Sequence, residues 1–173
     1  MTTTIKCPIT KPVLQVGSKG QSVREMQQIL NQRLAEFDVI ALSPLQIKVD
    51  GDFGILTQNA VKYLQCLAYL TVDGVVGVKT WTFLCDGTSS LPVLRVKSTG
   101  NIVKLVQQAL KEGAYYTGTV DGVFGAITEK AVKEFQVNRS LVADGIIGRK
   151  TWDALIKLDV HSFSCHTSIY PGC

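Results

Sequence analysis

Histidine is nearly missing from this sequence of 173 residues. Only His161 and His166 occur, both close to the C-terminus. Metal-dependent hydrolysis and histidine-based acid–base chemistry therefore have no candidates in the body of the chain. The pair could join Asp159, Cys165 and Cys173 in a zinc cluster, but the spacing matches no standard site. Cys165 beside His166 raises the idea of a thiol nucleophile. A terminal tail offers it no enclosed pocket and no third group to orient a base. No apolar run approaches the ~20 residues that a membrane span requires. The opening residues, MTTTIKCPIT, lack the charged and apolar segments of a secretory leader. Three alternatives stay open: the protein remains where it is made, it leaves by another route, or a leader has already been removed. Basic residues are not interleaved with aromatics, which argues against nucleic-acid binding. No catalytic residue, metal or cofactor is expected.

What the chain does have is the same message twice. Residues 49–84 read VDGDFGILTQNAVKYLQCLAYLTVDGVVGVKTWTFL, and residues 120–155 read VDGVFGAITEKAVKEFQVNRSLVADGIIGRKTWDAL. At an offset of 71 they match at 18 of 36 positions without a gap. Upstream, residues 16–30 match residues 96–110 at an offset of 80, so the first copy is longer by nine residues between Leu30 and Val49. A duplication of this length means two copies of one small module. The copies are placed at 13–85 and 93–158, with 86–92 as a joint and 159–173 as a C-terminal tail. Each is near the size at which a single core is only marginally stable. A hydrophobic content of 46% excludes a disordered chain.

Charge is divided unevenly. The first copy balances six basic residues against six acidic ones, whereas the second has ten against six and so holds the whole net charge of +4. A basic surface favours anionic partners. The five cysteines are odd in number and are not shared between the copies. Cys66 aligns with Val137 and Cys85 with Ile156, so both are expected to act as small core hydrophobes. Cys165 and Cys173 could close a loop in the tail. No disulfide framework is expected.

Each copy reads as three helices joined by glycine turns, an all-α fold. In the first helix, Val23, Met26, Leu30, Leu34 and Phe37 recur at helical spacing behind a cap at Ser22. Its extra length carries it to about Phe37, with Ser43 and Pro44 in the loop beyond. The matching helix of the second copy stops at Gly113. The VDGxFG turns follow, with Asp50 and Asp121 accepting backbone N–H bonds and Gly51 and Gly122 at positive φ. Phe53 and Phe124 plug the core. Thr57 and Thr128 are expected to cap the second helices, which run to about Gln65 and Gln136. A second turn, Asp73-Gly74 or Asp144-Gly145, leads to caps at Thr80 and Thr151. The short third helix then buries Trp81 or Trp152. The string Asp50-Gly51-Asp52 is no calcium loop, because Gly54 and Leu56 stand where oxygen ligands are needed.

The assembled pattern is G-x-x-V-x-x-x-Q-x-x-L, then DG-x-FG-x-x-T-x-x-AV-x-x-FQ, then L-x-x-DG-x-x-G-x-x-TW-x-x-L. It resembles the peptidoglycan-binding-like domain family. The second copy fits throughout, from Gly100, Val103 and Gln107 to Thr151, Trp152 and Leu155. The first departs at Tyr63-Leu64 and in its longer first helix. The resemblance covers about four fifths of the chain. It implies two tandem three-helix domains with a non-catalytic role, holding a protein on the sugar-peptide mesh of the bacterial wall. The implied ligand is peptidoglycan, with a protein partner supplying catalysis or structure, and the implied location, if exported, is the cell wall or periplasm. The candidate ligand-binding residues lie at the glycine turns: Asp50, Asp73 and Lys79 in the first copy, and Asp121, Asp144, Arg149 and Lys150 in the second. The alternative is a structural or protein-interaction component, of a phage particle or secretion apparatus, that keeps the fold without binding wall.

Overall fold

The computed structural model describes residues 7–37 and 46–161, with side chains as far as Leu158. The loop expected at Ser43 and Pro44 lies outside the described residues. So do the tail residues Cys165, His166 and Cys173 and the side chains of Asp159 and His161.

The chain divides after Ser90 into two compact units. The first holds α1 (Gln21–Glu36), α2 (Ile55–Leu67) and α3 (Val78–Asp86), closed by a 3-10 turn at Gly87–Ser90. The second holds α4 (Asn101–Glu112), α5 (Ala126–Asn138) and α6 (Arg149–His161). Among the described residues all regular structure is helical, apart from isolated bridges that pair Leu14 with Val76 and Lys19 with Asp52, and Leu94 with Ile147 and Thr99 with Val123. The last helix runs on past Leu158 into what reads, in sequence, as tail.

Within each unit the first helix packs on the other two. The residues between them are those of the helical spacing: Val23, Met26 and Leu30 against Val61, Leu64 and Trp81, and Val103, Val106 and Leu110 against Val132, Phe135 and Trp152. All twelve are fully buried or nearly so. Burial of such side chains stabilises by roughly 1.5–3 kcal/mol apiece. Each tryptophan also ties down the segment leading into its unit. Trp81 Nε1 donates to Pro12 O and Trp152 Nε1 to Pro92 O, both at 2.8 Å. Two residues further on, Leu14 and Leu94 pair antiparallel with Val76 and Ile147 of the second glycine turns.

Three expectations are corrected. The helix caps are not Ser22, Thr57, Thr80 or Thr128. Helices α1 to α5 start earlier, at Gly20, Gly54, Gly77, Gly100 and Gly125, with no side-chain cap bond. Thr151 likewise lies inside α6, whose Trp152 N–H donates to Gly148 O. The threonines are instead third in their helices and turned inward, where the glutamines described below hold them. Cys85 is not a plain core hydrophobe. It forms a disulfide with Cys7, with Cα atoms 5.8 Å apart, because it sits half-exposed on α3 and within reach of the leading segment. Cys66, half-exposed on α2, is disulfide-bonded as well.

The extra length of α1 ends in a contact that the second unit lacks. Arg33 is buried, and its guanidinium donates to Leu84 O and Cys85 O at the end of α3 and pairs with Glu36. Orphan carbonyls at a helix end need donors, and a cation there is favoured by the helix dipole.

Candidate binding site

One local design occurs four times, as DGDFGILT, DGVVGVKT, DGVFGAIT and DGIIGRKT. In each, a buried glutamine from the preceding helix lies inside the turn. Gln136 Oε1 accepts from Gly145 N–H at 2.9 Å, while Nε2 lies 2.8 Å from Asp144 Oδ1, 2.9 Å from Ile146 O and 3.2 Å from Thr151 Oγ1. Gln65 makes the same set with Gly74, Asp73, Val75 and Thr80. Gln27 and Gln107 repeat it at the first turns, with Asp50 and Gly51 and with Asp121 and Gly122. A single amide thus satisfies donors and acceptors that the reversing chain would otherwise strand.

The same bonds set the charge state of the aspartates. The Asp52 N–H and then Gln27 hold the Asp50 carboxyl below its ordinary range. Gln107, followed by the Val123 N–H, lowers Asp121. The Ile146 N–H, followed by Gln136, lowers Asp144. Hydrogen bonds to the ionised form have this effect. Each aspartate, Asp73 included, spends one oxygen on the turn. The glycine after it is forced: Gly145 and Gly74 have φ of +75° and +73°, and a Cβ would meet Glu129 Cγ at 2.7 Å or Gln58 Cγ at 2.6 Å.

A groove opens beside the second turn of each unit. In the second unit it has a volume of about 340 Å³ and is lined by Leu141, Val142, Asp144, Arg149, Lys150 and Thr151, with Gln136 at its floor. In the first it measures about 240 Å³, and Leu70, Thr71, Asp73, Val78, Lys79 and Thr80 stand in the matching places. So Asp73 with Lys79, and Asp144 with Arg149 and Lys150, come together as two equivalent sites. Asp50 and Asp121 lie at the other turns and line neither groove. Arg149, Lys150 and Lys79 are exposed, and none makes an ion pair among the described residues. No group of three or more metal-ligating side chains is present among the described residues. No described helix is long and apolar enough to cross a membrane.

The family model described as "Putative peptidoglycan binding domain" matches residues 19–84 and again residues 99–155. The chain belongs to this peptidoglycan binding domain family. It is 31% identical over 172 residues to the "Probable N-acetylmuramoyl-L-alanine amidase" of Bacillus licheniformis, covering 84% of this chain and 45% of that protein. It is 42% identical over 65 residues to the spore cortex-lytic enzyme of Bacillus cereus, covering 38% of this chain and 25% of that one. The crystal structure of the SleB N-terminal domain is 41% identical across 38% of this chain and 90% of its own, with a TM-score of 0.38. The chain therefore spans less than half the length of the amidase it matches. Both grooves fall inside peptidoglycan binding domain segments, and Gln136 and Gln65, unassigned in the sequence reading, are their shared support. The signal for them was present in the duplication, which aligns Gln65 with Gln136 and Gln27 with Gln107.

Proposed function

We propose that this chain binds bacterial peptidoglycan without cleaving it, through the two grooves beside the second glycine turns. The observation that carries the proposal is the repetition: two family segments present the same groove on the same amide-locked turn, each with at least one exposed cation at its rim that makes no ion pair among the described residues. The relatives are named as an amidase and a cortex-lytic enzyme, and each is longer than the part matched here. We read the shared part as the binding part. Asp73 and Lys79, and Asp144, Arg149 and Lys150, line the two sites. Asp50 and Asp121 support the turns. A partner that needs to be held on the wall would supply catalysis or structure.

The second groove contributes more than the first, since it is larger and has one more cation. The test is sedimentation with purified walls of Arg149→Ala combined with Lys150→Ala, beside Lys79→Ala, at low and moderate salt. The double variant should lose more retention, and added salt should narrow the gap. Equal retention of both variants and the unmodified chain removes these sites. Clearing of a peptidoglycan suspension above a heat-killed control would contradict the non-catalytic reading. Failure of the unmodified chain to sediment would favour a structural adaptor that keeps the fold alone.

A further inference from the structure

The two grooves are built on one scaffold, so their differences are a controlled comparison within one molecule. The supporting glutamine, the aspartate, the positive-φ glycine and the inward threonine are the same in both. The rim is not. Position 78 of the first groove is valine and exposed, whereas its counterpart in the second groove is Arg149. Lys79 and Lys150 correspond. The first groove therefore sets one cation against one carboxylate, Lys79 and Asp73, and is neutral. The second sets Arg149 and Lys150 against Asp144 and has a net charge of +1. Asp144 and Asp73 are held alike, each Oδ1 accepting from the supporting glutamine and from the N–H two residues on, so the extra charge of the second groove comes from Arg149 alone. The other walls of the second groove, Leu141, Val142 and Ile146, carry no charge.

We infer that the second groove selects a ligand bearing a free carboxylate over the same ligand with a carboxamide, that Arg149 is the selecting residue, and that the first groove makes no such choice. The inference rests on the proposed wall-binding function and names the chemistry read there: the carboxylates of the peptide part of peptidoglycan, not its sugars. A planar guanidinium meets a carboxylate with two parallel N–H bonds and full charge. A carboxamide of the same shape presents one acceptor and a donor that opposes the guanidinium. At an exposed rim this difference is modest, on the order of two- to fivefold in affinity at low salt. It shrinks as ionic strength rises.

The test uses the full chain, with backbone amide signals of residues 77–80 and 148–151 followed during titration. The probes are a synthetic stem peptide with free carboxylates and the same peptide with those groups as carboxamides. The carboxylate form should saturate the signals of 148–151 at a two- to fivefold lower concentration than the amide form, whereas 77–80 should respond to both alike. Arg149→Val should abolish the preference in the second groove, and Val78→Arg should install it in the first. Equal affinity for the two peptides, or a preference that survives Arg149→Val, overturns the inference. If neither peptide perturbs either groove while the chain still sediments with walls, the carboxylate reading fails and wall binding stands. If sedimentation fails as well, both fall.

Discussion

Replacing Gln136 with leucine removes the amide that holds the second turn of the second unit, and its cost follows from what each partner does afterwards. Asp144 keeps the Ile146 N–H and turns its free oxygen to water, so it adds little. The Ile146 carbonyl keeps the Thr151 hydroxyl at 3.3 Å. The Gly145 N–H is different, because it is buried and Gln136 Oε1 is the acceptor it loses. A stranded buried donor costs about 1–3 kcal/mol, and leucine returns some apolar packing, so a net loss of about 2 kcal/mol is expected. Urea unfolding in a Trp81→Phe background, followed by Trp152 fluorescence, reports on the second unit alone. Gln136→Glu sharpens the test. At neutral pH it places a second carboxylate against Asp144, where the amide nitrogen had stood 2.8 Å from Oδ1. Protonation restores a donor, so this variant should become relatively more stable as pH falls from 7 to 5. A loss below about 0.5 kcal/mol for Gln136→Leu, or no recovery of Gln136→Glu in acid, would refute the view that the amide holds the turn.

Three further outcomes are expected. Trp152→Ala should destabilise the second unit by about 3–5 kcal/mol, the range for a buried large aromatic, and a loss under about 1 kcal/mol in urea titration would mark it as dispensable to the core. Asp50, Asp121 and Asp144 have folded pKa values below their ordinary ones, so their contribution is complete above the ordinary carboxylate range and fades as pH drops through the lowered values; melting temperature should fall below about pH 4, and Asp121→Asn should blunt that fall. The Cys7–Cys85 bond joins residues 78 apart, and a link of this kind stabilises by roughly 2–4 kcal/mol; Cys7→Ser should lower the unfolding midpoint of the first unit and leave that of the second, which has no cysteine between Asp86 and Phe163, unchanged.

Helices and turns were legible because burial enforces periodicity. Met26, Leu30 and Leu34 repeat on one face, and Asp-Gly pairs mark reversals whose φ only glycine meets easily. The caps were misread for a physical reason. Threonine before an apolar run is an ordinary N-cap signal, but here glycine begins the helix and the threonine hydroxyl is needed inside, by the glutamine. That glutamine stood in the motif as Gln107 and Gln136, yet a polar residue on an apolar helix face declares no partner until the turn folds over it. Cys7–Cys85 and the Arg33 contact to α3 were hidden for another reason. Both join residues more than fifty positions apart in the first unit, and neither has a counterpart in the second, so the duplication could not expose them. The grooves were half legible: Lys79, Arg149 and Lys150 lie at the expected turn, whereas the lining by Leu70 and Leu141 depends on how the helices return.

The most direct measurement is a binding isotherm of the intact chain on purified, protein-free peptidoglycan, read by sedimentation beside a variant with both grooves altered, Lys79→Ala, Arg149→Ala and Lys150→Ala together. Two linked weak sites gain from effective concentration on a polymer. Saturable retention that the unmodified chain shows and the triple variant loses, with both equally folded by circular dichroism, is the predicted result. Identical isotherms for the two proteins, or no retention of either, would contradict it.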